Sequence, residues 1–400
     1  MNQMDTESAI VKAESQCFPD GGLTAWLQVL GAFLLYFNTW GILLPTYSTL
    51  AISQIGSTQS FLLVFVRVLT GPSFDRGYLQ SFNTVGTILL VLELMTTSAA
   101  AKCYQIFLAH GLRFRLGCGC MFINMMAIVP IYFATKRPIA MGIASLGTGI
   151  GGIIHSVIFH RLQLRIGFFW TLRKITFVVL FLQLVPYLVM CTRLPPSKPR
   201  DLVQITAFKS VAYTCITLAA VLGPMGMYVP FYEAQLFAVR KLGTGQTLTF
   251  YLTPIMNAGS TVGRLLLSGL AVRFGTINLF SVTLIFSGVI CWTWIAVDTI
   301  GGSVAFSFWY RFFSGAILVL GPIMIAAILK DMRELGTRIG TSFGIGAFGL
   351  LAGNPIVGAL VNVRIESFIR AQIFGGVVLL ACGGFATVGG VWKLMKNRGA

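Results

Sequence analysis

The sequence predicts an all-α membrane protein with twelve transmembrane helices in two six-helix halves. Three observations carry that reading. Of 400 residues, 56% are hydrophobic and 10% charged, with a mean hydropathy of +0.82, whereas soluble chains carry about 25% charged residues. The apolar residues fall in continuous runs of about 20, the length that spans hydrocarbon as a helix, rather than alternating over about 10 as in a barrel. The widest polar break, Thr192 to Thr206, holds Pro195-Pro196, Arg193, Lys198 and Arg200 and divides the runs six and six.

In chain order the runs cover about 24–46, 57–74, 82–100, 103–132, 138–160, 167–191, 207–230, 246–270, 276–297, 302–329, 340–362 and 371–392. The expected organisation is a cytosolic N-terminal tail (1–19), a first six-helix half (20–191), a central cytoplasmic loop (192–206), a second half (207–392) and a cytosolic C-terminal tail (393–400). Met1 to Pro19 is polar, without the basic start and apolar core of a cleaved signal peptide. The larger share of Lys and Arg falls on the side of the two termini, which places both in the cytosol, although Arg161, Arg165, Arg173 and Lys174 run against the bias. The plasma membrane is the expected location.

Composition also excludes functions. A net charge of +17 would suggest nucleic acid in a soluble protein. Here the basic residues sit in short loops, where an anionic leaflet accounts for them, so the bilayer is the expected partner and nucleic acid is not. The eight cysteines lie mostly inside apolar runs, and Cys118-x-Cys120 is a poor metal pair, so neither metal nor cofactor is expected. His110, His155 and His160 are scattered, without the clustered His and carboxylate groups of a membrane hydrolase or transferase; the chain is not read as an enzyme.

The residues that carry chemistry are polar groups inside runs. Arg264, in Asn257-Ala258-Gly259-Ser260-Thr261-Val262-Gly263-Arg264, is a charge within hydrocarbon and needs a cavity or a partner. Its fork matches a carboxylate in two places, so it is a candidate substrate anchor. The amides Asn257 and Asn38 are candidate substrate contacts, with interhelical hydrogen bonding as the alternative. Glu93 and His110 are candidate proton carriers. Pro230 and Pro254 are expected to break their helices near a cavity, and Gly147 to Gly152 to allow close helix packing.

Two six-helix halves joined by a polar loop resemble the major facilitator superfamily. Gly71-Pro72-Ser73-Phe74-Asp75-Arg76-Gly77-Tyr78 resembles that superfamily's loop between helices two and three, in which Gly71, Asp75 and Arg76 would act as a conformational gate. Asp20-Gly21-Gly22-Leu23-Thr24-Ala25-Trp26 looks like the helix-one entrance of the monocarboxylate transporter-like family, and Phe37-Asn38-Thr39-Trp40-Gly41 resembles its fungal branch. The likeness continues through Tyr132 to Ile143, Asn257 to Arg264 and Leu335 to Gly340.

This resemblance implies a secondary transporter of a small organic solute, a monocarboxylate or related metabolite, working by alternating access with or without a proton. An alternative is efflux of a fungal secondary metabolite from a biosynthetic cluster. An alternative of another class is a non-transporting or degenerate permease-like sensor. In the animal members an Asp stands four residues before the arginine that matches Arg264, and a Lys lies in helix one. Here the first position is Ser260, and run one has no lysine. The stretch from Gly41 to Ser57 is shorter than is usual in the family, and Arg67, Arg113, Arg115 and Arg311 stand where relatives have small or apolar residues.

Overall fold

A computed structural model describes residues 20–40, 61, 64–99, 113–193, 205–329, 331–361 and 367–398. The N-terminal tail, the stretch from Gly41 to Ser57, His110 and the middle of the central loop lie outside the described residues. The described chain is built of helices α1 (Leu23–Trp40), α2 (Arg67–Asp75), α3 (Leu79–Ser98), α4 (Phe114–Tyr132), α5 (Arg137–Val189), α6 (Val211–Leu242), α7 (Gln246–Phe274), α8 (Thr276–Thr293), α9 (Ile300–Ile328), α10 (Leu335–Leu360) and α11 (Ile369–Arg398). Nine of these are long and apolar enough to cross a membrane. α5, at 53 residues and broken at Gly167, is long enough for two spans, and with α1 this is consistent with the twelve spans of the sequence reading, α2 being a nine-residue part of the second run.

Two boundaries differ from that reading. The basic stretch from Arg161 to Lys174 is helical, interrupted at Gly167 (φ 76°, ψ 170°). His160 to Ile166 contains no breaker, so the helix continues to the first residue that tolerates a positive φ. α6 likewise passes Pro230 and runs to Leu242, where Gly243 in the left-handed region closes it and the Thr244 N–H returns to Ala238 O at 3.1 Å. Pro230 leaves the Gly226 carbonyl without its helical donor. One residue along, the Tyr310 hydroxyl donates to Met227 O at 2.9 Å, so the loosened turn is partly re-satisfied from α9.

Within the first half α1 packs on α5, and α3 on α4 and α5; within the second, α6 packs on α10 and α11, and α7 on α9. α4 is the most enclosed helix, with 94% of its span buried. The outer surface is apolar: Phe177, Phe181, Leu184 and Leu188 on the second arm of α5 are exposed, as lipid-facing side chains are. The two halves meet along two seams, α2 against α10 and α5 against α7.

Glycine makes both seams possible. A Cβ on Gly336 would stand 2.5 Å from Gly71 O, and one on Gly340 would stand 2.5 Å from Arg67 O. The expected role of Gly147 to Gly152 holds. Gly147 and Gly151 meet the α1 backbone at Phe33 and Phe37, while Gly149 and Gly152 meet Thr261 and Asn257 of α7. One short glycine-rich stretch therefore serves the intra-half contact on one face and the seam on the other.

At the start of α1 the Asp20 carboxylate accepts the Ala134 N–H at 2.6 Å, the Thr135 N–H at 3.0 Å and the Thr135 hydroxyl at 2.6 Å, tying α1 to the loop that opens α5. Burial pushes this carboxyl up, but the hydrogen bonds from Thr135, Ala134 and Lys136 outweigh it and hold it below its ordinary value of 3.8.

This packing can be tested at the seam and at the α1 entrance. Gly71→Leu is expected to wedge α2 from α10 and to lower stability by about 1–3 kcal/mol in thermal unfolding of the purified protein. Gly269→Leu, with open space around its Cβ, is the control and is expected not to destabilise. Because the folded carboxyl of Asp20 is depressed, its contribution is complete above the ordinary value of 3.8 and is lost as pH falls through the folded value. Asp20→Asn should flatten the acid side of the melting-temperature profile by a small amount, since the group is solvent-screened; an unchanged profile would remove Asp20 from acid sensitivity.

Candidate functional site

The residues expected to form a gate come together at the α2–α10 seam. Asp75, at the end of α2, points its carboxylate across the seam at the first turn of α10. Its Oδ1 accepts the Gly336 N–H at 2.8 Å, and its Oδ2 accepts the Thr337 N–H at 2.7 Å and the Thr337 hydroxyl at 2.6 Å. These amides have no partner within their own helix, and the helix N-terminus favours an anion. Gly71, one turn back, lets the backbones approach closely enough for that reach. Arg76 caps α2, donating its N–H to Pro72 O at 3.2 Å, and Gly77 (φ 88°) turns the chain into α3. The first turn of α10 is also held by the Arg338–Glu334 ion pair at 3.0 Å.

Between the halves, above this clasp, lies a cavity of about 60 Å³ lined by Tyr36 of α1, Arg67 of α2, Phe122 of α4, Ser145 and Thr148 of α5, Tyr228 of α6, Arg264 of α7 and Phe343 of α10, among others. No Asp or Glu lines it among the described residues. Arg264 is 5% exposed. One terminal nitrogen, Nη1, donates to Ser145 O at 2.8 Å and to Thr148 Oγ1, while its Nε has no acceptor among the described residues. Both acceptors are neutral, and both belong to the opposite half. Ser260, four residues before it, is buried against Gly315 of α9 with no partner for its hydroxyl among the described residues, so it does not replace the missing acid.

Of the three substrate residues expected from the sequence, Arg264 is the one found in the cavity wall. Asn257 lies in the α5–α7 seam, its side-chain nitrogen facing Gly152, and its carbonyl accepts from Thr261. Asn38 is fully buried on α1, with neither amide atom partnered among the described residues, and it is not part of the lining. Glu93 is fully buried on α3, accepts from the Thr97 hydroxyl at 3.0 Å and also lies away from the cavity. His155 is a packing residue: its Nδ1 meets Gly151 O at 2.9 Å and its ring lies 4.8 Å from Phe37.

The extra arginines separate. Arg113 is exposed and Arg115 buried. Arg311 is buried with its guanidinium 4.9 Å from the Phe231 ring centroid. Arg67 enters the cavity. The sequence shows the Arg67 charge as a departure from the family but not as a site residue. It gives no sign of Tyr36, Tyr228 or Thr148, whose types carry no signal inside an apolar run. Asp75→Asn keeps one acceptor and loses the charge. It is expected to weaken the clasp by about 1.5–3 kcal/mol and to raise the thiol reactivity of a cysteine placed at Val68, which packs on Gly344 in the closed seam. Unchanged reactivity would show that the carboxylate does not hold the seam.

No protein-family model matches the chain. It is 36% identical over 379 residues to the MFS-type transporter dbaD of Emericella nidulans, covering 91% of this chain and 85% of that protein. It is 34% identical over 382 residues to the aspyridones efflux protein apdF of the same organism, covering 92% and 78%. Among solved structures, the fold matches FucP in the outward conformation with a TM-score of 0.71 at 15% identity, over 92% of this chain and 98% of that one. It matches the human organic anion transporter MFSD10 with a TM-score of 0.73 at 11% identity, over 91% and 98%. These relatives are transporters and not enzymes, and with the twelve-span, two-half fold they show that the chain is a multi-pass membrane transporter of the major facilitator superfamily.

Proposed function

We propose that this transporter exports an organic anion, a fungal secondary metabolite, from the cytosol across the plasma membrane, with both termini cytosolic. The observation that carries the reading is Arg264, a buried guanidinium in the wall of a cavity shared by both halves, with no carboxylate among the described lining residues. An anion supplied by the solute meets that charge, and the fork of Arg264 can hold a carboxylate through two nitrogens. The efflux direction is supported by the aspyridones efflux protein among the relatives.

In this reading occupancy is coupled to movement. Arg264 bridges to Ser145 and Thr148 across the α5–α7 seam. An anion that takes this guanidinium competes with those acceptors and loosens the seam, while Asp75 holds the α2–α10 seam separately. Alternating access then follows as a rocking of one half against the other about a site near the midplane. The monocarboxylate reading rests on the same arginine. The acid that accompanies it in the animal carriers is absent at Ser260, so proton coupling falls to Glu93 or to His110 in this scheme, and export needs neither to contact the solute.

Proteoliposomes loaded with a fluorescent aromatic carboxylate test the reading. The acid is expected to leave through the intact protein at least about tenfold faster than through Arg264→Ala, roughly 1.4 kcal/mol of lost interaction, while its methyl ester leaves both at the background rate. Equal rates for the acid through both proteins would take Arg264 out of the site.

A further inference from the structure

We propose that Arg67 is a second anion-binding residue, and that the site takes a flat, conjugated acid carrying two negative charges, one held by each half of the carrier. The proposal rests on the export reading and narrows its substrate class.

Arg67 is 2% exposed on α2 and lines the same cavity as Arg264 on α7. Its guanidinium carbon lies 3.4 Å from the Phe122 ring centroid and 5.0 Å from that of Phe343, so two aromatic faces hold it. Cation–π contact offsets only part of the cost of a buried charge and uses none of its N–H donors. Among the described residues no acceptor meets Nε. A structural arginine spends its donors on helix carbonyls, as Arg137 does on Phe133 O at 2.9 Å. Arg67 instead arrives desolvated, oriented by stacking, and with donor capacity in reserve.

Two like charges in one cavity also constrain the ligand. Arg67 belongs to the first half and Arg264 to the second, so each half places one cation in the wall of the same cavity. A single carboxylate fills one fork and leaves the other charge uncompensated. A solute with two acidic groups neutralises both and joins the halves through itself. The shape requirement comes from the walls: Phe122, Phe343, Tyr36 and Tyr228 line the cavity that the two guanidiniums share, and aromatic walls favour a planar solute.

The test uses the purified full-length protein in detergent and three probes measured by calorimetry: 2,6-naphthalenedicarboxylate (flat, two charges), 2-naphthoate (flat, one charge) and adipate (flexible, two charges). Wild type is expected to bind the naphthalenedicarboxylate at least about tenfold more tightly than either other probe. Arg67→Gln should lower that affinity by about tenfold while holding 2-naphthoate within about twofold, whereas Arg264→Gln weakens both. Arg67→Lys keeps the charge without the planar stack. It should retain the preference for two charges and lose the preference for naphthalene over adipate, and it decides the matter if the Gln variant does not fold. Equal wild-type affinity for the one-charge and two-charge naphthalenes overturns this proposal and leaves the export reading standing, as does a Gln variant that weakens both probes alike or neither. A wild type that binds none of the three overturns both.

Discussion

A guanidinium inside a bilayer has to be enclosed and solvated by the protein, and much of this fold follows from that requirement. A charge at the centre of a spanning helix costs roughly 2.5–3.5 kcal/mol on insertion scales. Arg264 meets the cost by reaching out of its own half to the Ser145 carbonyl and the Thr148 hydroxyl. That reach demands that α5 and α7 lie very close, and Gly149 and Gly152 supply the closeness. The same helix face brings Asn257 into the seam, where its amide packs on Gly152 instead of opening to the cavity. The seam geometry and the cavity charge are thus two consequences of one buried group.

The second seam is built on a different principle. Asp75 carries its charge to the end of the seam, where the amides of Gly336 and Thr337 await an acceptor. No desolvated pair is needed, because the helix terminus already presents partial positive charge. Such a contact is strong when the helices are aligned and vanishes when α10 moves by a few ångströms, which suits a bistable element. Arg264 and Asp75 therefore hold neighbouring seams by bonds of opposite polarity: a cation on neutral oxygens, and an anion on backbone amides.

The spans are legible in the sequence because hydropathy needs no knowledge of neighbours. Their ends are less so. Pro230 reads as a stop, yet α6 continues, and the donor that helps the loosened turn, Tyr310, lies far away in sequence on α9. The basic stretch before Gly167 reads as a loop because charge suggests solvent, whereas charge and helix are compatible at a membrane surface. At the site, Arg264 can be found from one charge in an apolar run. Asn38 and Asn257 carry the same kind of signal and lie elsewhere, because the rotation of a helix about its axis is set by the partners it packs against. Arg67 shows the converse: its charge is visible, but the aromatic pair that orients it comes from α4 and α10.

Ser260 stands where the proton-linked carboxylate carriers that the chain resembles have an acid, and this bears on how the proposed site would work. Where an aspartate stands one turn from the arginine, the two charges compensate each other, and a proton on the aspartate decides whether the arginine is available to substrate. Ser260 cannot do this, since its hydroxyl is neutral and packs against Gly315 of α9. Among the described residues the guanidinium meets a carbonyl and a hydroxyl of the opposite half, and on the proposed reading an anion has to outcompete these two. A charged oxygen does so readily, because charge-assisted hydrogen bonds are about twice as strong as neutral ones. On the proposed export reading, the charge of the solute would break the α5–α7 bridge on arrival and its departure would restore it, with any titrating group acting away from the solute.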